Sequence, residues 1–431
     1  MTGRRGPNSP DNLEEYIRRT LKSHFLLMGL VQNEDGSLGP TTQTKDNLRY
    51  LHSEQRKDRL IQNRRFIEQN GKDLLNHLAS GFEVNPRAIE PIVQPIKGDT
   101  LEADLFRFAS LTWSVPVSNG YGRRMRFLVW DKTNNKLIGI IGLGDPVFNL
   151  KVRDLTIGWD GKRRREALVN VMDAYVLGAL PPYNKLLGGK LIACLTRTKE
   201  IKNAFYKRYH SKEGIISHQK KSASLVAITT SSALGRSTVY DRLKLEGRYY
   251  FESIGYTSGW GHFHIPSDLF ELMRQFLKIH DHPYSANNRF GQGPNWRLRT
   301  VRAVLSLLSM DPNMLHHGIL REVFISRLAM NADRVLRGES TRPIFSGLRS
   351  VEEVSELAKD RWLIPRSQRR PDYLDWKREQ ILELIDPSKV GSVILDNHPS
   401  TIQPFVTQSS SKVITNDIVR SGKRKMKELE R

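Results

Sequence analysis

Thiols are nearly absent. The 431-residue chain holds a single cysteine, Cys194, which excludes an internal disulfide framework and a thiolate zinc cluster, and fits a reducing cytoplasm. Its place inside an apolar helical pattern reads as a small buried hydrophobe rather than a nucleophile. Long apolar runs are missing too. None approaches the roughly 18 consecutive residues a membrane helix needs, so no membrane partner is expected. The opening MTGRRGPNSPDNLEEY carries no apolar core of the kind that marks a secretory signal. The third shortage is acid. Lys and Arg number 68 against 46 Asp and Glu, a formal charge of +22 with pI near 10.0. Such an excess predicts attraction to polyanions, chiefly nucleic acid, without implying sequence readout.

The length suits two or three domains. Helical spacing of Leu13, Tyr16, Ile17, Leu21, Phe25 and Met28, followed by a charged helical stretch from Thr44 to Asn70, predicts a helical region over 1–115. Arg56, Lys57, Arg59, Arg64 and Arg65 make one side of that stretch basic. Pro86, Pro91 and Pro95 punctuate a boundary. An α/β core is expected over 120–283, a second helical region over 296–395, and a basic disordered tail over 400–431.

The core carries most of the information. RFLVW and KLIGIIGL flank DKTNN, which predicts a hairpin. Leu155, Ile157 and Trp159 alternate with polar neighbours as a half-buried strand does. Asp160 is placed to cap a helix carrying Leu168, Val171, Met172 and Tyr175, closed by Gly178 and Pro181-Pro182. A further helix over Leu187 to Thr196 is preceded by Lys185 and opens on Gly188, Gly189 and Lys190. LVAITT, YYFESIGY and GHFHI read as strands, and DLFELMRQFLKI as an amphipathic helix.

Four groupings could carry chemistry. Lys185, Gly188, Gly189 and Lys190 could cradle an anion, because glycines let backbone N–H groups approach and a helix N-terminus favours negative charge. This turn is similar to the pyrophosphate turn of GNAT acyltransferases, which implies an acetyl-CoA-like ligand. It departs from that pattern because Lys190 stands where the second glycine is wanted, and because the helix expected after Asp160 separates strand from turn. Tight packing around small residues is the simpler reading. LGRSTVYDRLK resembles a helix-turn-helix recognition segment, with Gly235 in the turn and Ser237, Thr238 and Arg242 facing DNA. The β-branched LVAITT before it suits a strand better, leaving Arg236, Arg242, Lys244 and Arg248 as a basic edge. Asp145, Asp154, Asp160, Glu166 and Asp173 could gather around a metal in a nuclease, yet turn and cap roles explain them more simply. His262, His264, His280 and His282 read as structural or solvent-facing rather than zinc-binding. Finally, basic residues cluster beside aromatics: Arg123, Arg124 and Arg126 around Tyr121; Arg163, Arg164 and Arg165 after Trp159; Lys202, Lys207 and Arg208 beside Phe205, Tyr206 and Tyr209. Such pairs hold phosphates and stack bases.

Together RFLVW, LIGIIGLGDPVFNLKVRDLTIGWD, LGALPPYNKLLGGKLIACL and LVAITTSSALGRSTVYDRLKLEGRYYFESIGYTSG resemble the DruA family of the Druantia anti-phage defence system, over about Tyr121 to Pro266. The segment Arg153–Asp160, RD-x3-IGWD, is the most specific part. The resemblance implies a bacterial or archaeal cytoplasmic defence protein working beside other proteins of its system, and it supplies no catalytic residue. The expectation is therefore a mixed α/β protein with helical flanks, GNAT-like in its core, that binds DNA or RNA through basic surfaces within a multi-protein assembly. Two alternatives stand beside it: a group-transfer enzyme with a GNAT-like core acting on nucleic acid or protein, and a structural adaptor. Whether any chemistry occurs is open.

Overall fold

The computed structural model describes residues 10–40, 42–98, 100–118, 122–211, 223–257, 264–285, 296–315 and 317–390. Tyr121, His262 and the 400–431 tail lie outside the described residues. The chain is mixed α/β, as its sequence predicts, and is organised on a seven-stranded sheet. Its strands are β1 Pro91–Pro95, β2 Arg124–Asp131, β3 Lys136–Gly144, β4 Val171–Ala179, β5 Ala227–Ser231, β6 Glu252–Tyr256 and β7 Glu322–Arg327. They lie in the order β6-β7-β5-β4-β3-β2-β1. Every neighbouring pair is antiparallel except β4 and β5, which run parallel through three residue pairs, Val171↔Ala227 to Asp173↔Thr229.

The hairpin expected around DKTNN joins β2 to β3. Asp131 builds its turn, accepting from Thr133 N at 3.2 Å and Thr133 Oγ1 at 2.8 Å, as Asp does where it stands in for a missing main-chain acceptor. Strand β3 is buried along nearly its whole length. It reads as a continuous apolar run because both faces of the sheet are covered there. On one face Phe127, Met172 and Ala174 pack beneath the helices Gly188–Leu195 and Val351–Ala358. On the other, Leu128, Ile140 and Val176 meet the helices Arg64–Leu75 and Leu101–Leu111. A separate apolar cluster joins the helix Pro10–Leu27 to Ser267–Ile279 and Trp296–Leu307.

Two local expectations are corrected. The alternation around Leu155, Ile157 and Trp159 is a helix, Lys151–Ile157, closed by Gly158 at φ +81°. Arg153, Asp154 and Ile157 bury one side of it, a three-to-four spacing that a period-two reading misses. Asp160 does cap the next helix, accepting from Arg163 N at 2.6 Å, but that helix, Gly161–Ala167, ends before Val171. Val171 to Ala179 instead form β4 in the middle of the sheet. A strand with apolar residues on both sides loses its period, so it can be mistaken for a helix. The segment Ser232–Leu243, the second half of the helix-turn-helix reading, contains no helix. Ser237 Oγ accepts from Val239 N and Tyr240 N, both at 3.1 Å, and holds a turn there.

The RD-x3-IGWD segment is a structural knot. Arg153 is fully buried, with Nε and Nη2 donating to Asp154 Oδ1 at 2.9 and 2.7 Å, Nη1 to Val147 O at 2.8 Å and Nη2 also to Phe148 O at 2.9 Å. Arg164 Nη1 donates to Asp154 Oδ2 at 2.8 Å. Trp159 lies 5.4 Å beneath the Arg153 guanidinium and donates its indole N–H to Leu336 O at 2.8 Å. Breaking a buried pair by neutralising one member leaves an uncompensated charge. Asp154→Asn is therefore expected to destabilise the protein by about 3–5 kcal/mol in urea unfolding, and a loss under about 1 kcal/mol would contradict this account. The double variant Arg153→Met/Asp154→Leu should recover a large part of the loss.

Candidate nucleic-acid interface

Glycine at position 142 sets the floor of a groove on one face of the sheet. A Cβ there would lie 2.7 Å from the Tyr175 ring and 2.6 Å from Val176, so only glycine lets the β4 tyrosine lie across β3. Arg126 on β2 is the register partner of Gly142, and Arg124 that of Gly144, which also faces Asp173. The sheet thus sets Arg124 and Arg126 on one side of two small residues and Asp173 and Tyr175 on the other. Helix Leu101–Leu111 walls the groove with Phe106 and Arg107, and Arg59 and Arg208 reach it from helices Ser53–Gln62 and Lys199–Tyr209. The cavity measures about 560 Å³, and its lining holds five arginines against one acid, Asp104.

Several of the arginines are held in position. Arg107 lies 4.0 Å over the Phe66 ring and donates Nε to Asn63 Oδ1 at 2.9 Å. Arg126 sits 5.6 Å over Phe106. Tyr209 bridges the main chain of Arg124, accepting from its N at 3.0 Å and donating to its O at 2.9 Å. Burial, with the neighbouring Arg107 charge adding to it, lowers the pKa of Arg59. Burial raises the hydroxyl pKa of Tyr175, opposed by Arg126 and Arg124. Asp173 accepts from Thr229 Oγ1 at 2.8 Å, and burial pushes its carboxyl up to about 6.

The basic residues singled out on the sequence divide into three groups: groove, inward-turned and exposed. Arg124 and Arg126 belong to the groove. Arg123 turns inward instead, pairing with Asp145 at 2.7 Å and donating to Val169 O and Val171 O. Arg163 closes the helix Ala332–Arg337 through Val335 O and Leu336 O. Arg164 holds Asp154, and Arg165 is exposed with a 3.3 Å bond to Gly161 O. Arg236 and Arg242 are exposed on the loop after β5, Arg236 lying 3.7 Å from Asp241.

The glycine turn opens the helix Gly188–Leu195 as expected, and β4 leads to it through only the short turn Tyr183–Leu186, without the intervening helix the sequence suggests. Gly188 is a packing glycine, since a Cβ would lie 2.6 Å from Tyr183 O. Lys190 Nζ donates to Thr238 O and Val239 O at 3.1 Å and lies 3.4 Å from Asp241 O, while Lys185 Nζ donates to Asp372 O at 2.9 Å. Among the described residues no three of His, Cys, Asp and Glu gather to hold a metal ion. His264 pairs with Asp58 at 2.9 Å, and His280 with the main chain of Phe276.

Sequence reasoning missed Arg107, Phe106 and the role of Tyr175. An isolated glycine inside a strand pattern, here Gly142, was the available signal, because it marks a close approach.

These features define a basic mixed α/β protein with a recessed arginine-rich groove on its central sheet. A family model described as Druantia protein DruA matches residues 42–338. The curated Druantia protein DruA of Escherichia coli (strain UMEA 4076-1) is 51% identical over 372 residues, covering 86% of this chain and 92% of that protein. No solved structure matches the chain. The chain belongs to the DruA family, and DruA is a component of the Druantia anti-phage defence system. No helix among the described residues is long and apolar enough to cross a membrane.

Asp173 gives the site a pH signature. An acid whose pKa is raised on folding disfavours the native state increasingly as pH climbs from the unfolded value, 3.8, through the folded value of about 6, and fully above it. Asp173→Asn keeps the acceptor for Thr229 and removes that penalty. It should stabilise the protein by on the order of 2 kcal/mol at pH 7.5, with the gain gone below pH 4, as read by urea unfolding at both values. An equal gain at the two pH values would refute the assignment.

Proposed function

We propose that this chain serves anti-phage defence in the bacterial cytoplasm by binding nucleic acid, DNA or RNA, through its basic surfaces within a multi-protein assembly. Membership of the DruA family carries the defence role. The observation that supports nucleic acid is the groove: four elements distant in sequence bring Arg59, Arg107, Arg124, Arg126 and Arg208 to one cavity with a single acid among its lining. Arg107, Arg126 and Arg208 have no acidic partner among the described residues. Guanidiniums gathered this way repel one another, and a phosphate backbone relieves that repulsion while releasing counterions. Arginine also matches phosphate through two parallel hydrogen bonds. The exposed Arg165, Arg236 and Arg242 add to the basic surface that meets the rest of the assembly or the nucleic acid.

A second reading is a group-transfer enzyme acting on nucleic acid or protein. Two observations favour it: β4 and β5 run parallel through only three residue pairs, and the chain leaves β4 through a short turn into the helix at Gly188. An acetyl-CoA-like ligand held by Lys185, Gly188, Gly189 and Lys190 would have to draw Lys190 away from the carbonyls of residues 238, 239 and 241.

Fluorescence anisotropy with labelled DNA and RNA tests the first reading. Binding is expected at 50 mM salt and should weaken steeply toward 200 mM. Arg107→Gln and Arg126→Gln should each weaken binding and lower the log–log salt slope by about 1. Absence of binding to either nucleic acid at the lower salt removes the reading. Calorimetry with acetyl-CoA addresses the second: a Cβ at Gly189 would make only ordinary contact with Val239, at 3.8 Å, so Gly189→Glu should fold and abolish any heat of binding. A wild-type protein that gives no heat has no such site.

A further inference from the structure

We propose that the arginine groove takes single-stranded nucleic acid, with a base stacked on Tyr175 while the arginines hold the adjoining phosphates. The inference rests on the nucleic-acid reading above and adds the form of the polymer. Shape is the first argument. The arginines that distinguish this cavity are not spread on a convex face. Arg126 and Tyr175 are only partly exposed and sit on the sheet floor, between helix Leu101–Leu111 and Arg208. A duplex is a rigid cylinder whose bases are stacked inward, so it can touch the rim of such a cavity but cannot present a base to its floor. An unpaired strand can, because its bases are free to leave the stack. The volume of about 560 Å³ falls within the range of small-ligand sites, about 300–1,000 Å³, which suits one or two nucleotides rather than a helix.

The second argument is the preparation of the floor. Tyr175 lies across β3 because Gly142 has no side chain, and any Cβ there would meet the ring. Its hydroxyl has no hydrogen-bond partner among the described residues, although burial acts on it. A tyrosine kept at a groove floor with no described protein group taking its hydroxyl offers a ring for stacking and a donor for a base edge or sugar. Phe106, largely buried in the cavity wall, backs the Arg126 guanidinium at 5.6 Å and adds an aromatic edge to the same cavity. Alternating aromatic faces and guanidiniums is the arrangement by which single strands are bound without sequence preference: every base has a π-face, and the backbone supplies the charge. A phosphate-only ligand would explain the arginines and leave the two aromatics and Gly142 without a role.

The test uses the full-length chain and three fluorescein-labelled probes of equal length: poly(dT), a strand of abasic units with the same phosphates, and a blunt duplex. The expected order is poly(dT) tightest, with the abasic strand and the duplex each weaker by about fivefold or more, since stacking one base is worth at least that much. Tyr175→Phe should keep the preference and Tyr175→Leu should lose it. Equal affinity for the abasic strand and poly(dT), or a duplex bound as tightly as the single strand, overturns the single-strand assignment while the nucleic-acid reading stands. Failure of these probes and of their RNA counterparts to bind at 50 mM salt overturns both. The probe series needs only the wild-type protein, so the outcome does not depend on whether Tyr175→Leu folds.

Discussion

The guanidinium of Arg153 has no access to water, and the surrounding chain is arranged so that all three of its nitrogens donate. Two bonds go to Asp154, two to the carbonyls of Val147 and Phe148, and its face rests on Trp159. A buried charge is tolerable only when paired and hydrogen-bonded in this way. Meeting that condition fixes the path from β3 into the helix Lys151–Ile157. It also fixes the αL turn at Gly158 and, through Trp159 and Arg163, the C-terminus of the helix Ala332–Arg337. Residues almost two hundred positions apart are thereby locked onto the rim of one sheet. The most specific segment of the sequence is a device for folding.

That conclusion changes how the basic composition is to be understood. Part of the charge of +22 faces inward. Arg123, Arg163, Arg197 and Arg366 all donate to main-chain carbonyls at or beneath the surface, where a guanidinium satisfies several acceptors that water cannot reach. Positive charge in the sequence is therefore an upper bound on positive charge presented to a partner. What marks the groove is that Arg59, Arg107, Arg124, Arg126 and Arg208 all line one space.

Much of the architecture was legible in the residues. The β2–β3 hairpin, the Asp160 cap, the glycine-initiated helix and the mixed α/β class all follow from short-range chemistry, and they are where local preference and final structure agree. The strand β4 was not legible. Met172 and Val176 face different cores, so hydrophobicity there carries no period. The family was readable from the middle third, because RD-x3-IGWD encodes a three-dimensional requirement in consecutive residues. The groove was only half readable. Arg124 and Arg126 are adjacent to aromatic residues in sequence, whereas Arg107, Phe106 and Tyr175 join them only once the sheet has formed, and nothing local announces that meeting.

The helix Pro10–Leu27 finds its apolar partners in Ser267–Ile279 and Trp296–Leu307. On a ribosome adding about 5–20 residues per second, that helix emerges roughly 15–60 s before its last partner exists. During this interval Ile17, Leu21 and Phe25 have only the nearby Leu30, Leu38, Leu48 and Leu51 of their cluster to cover them, while the sheet strands β1 to β5 can already pair. The order of synthesis thus runs opposite to the order of burial for this lobe. This early segment is among the last to settle, and the newborn chain carries a poorly covered apolar stripe there until Trp296–Leu307 has been translated.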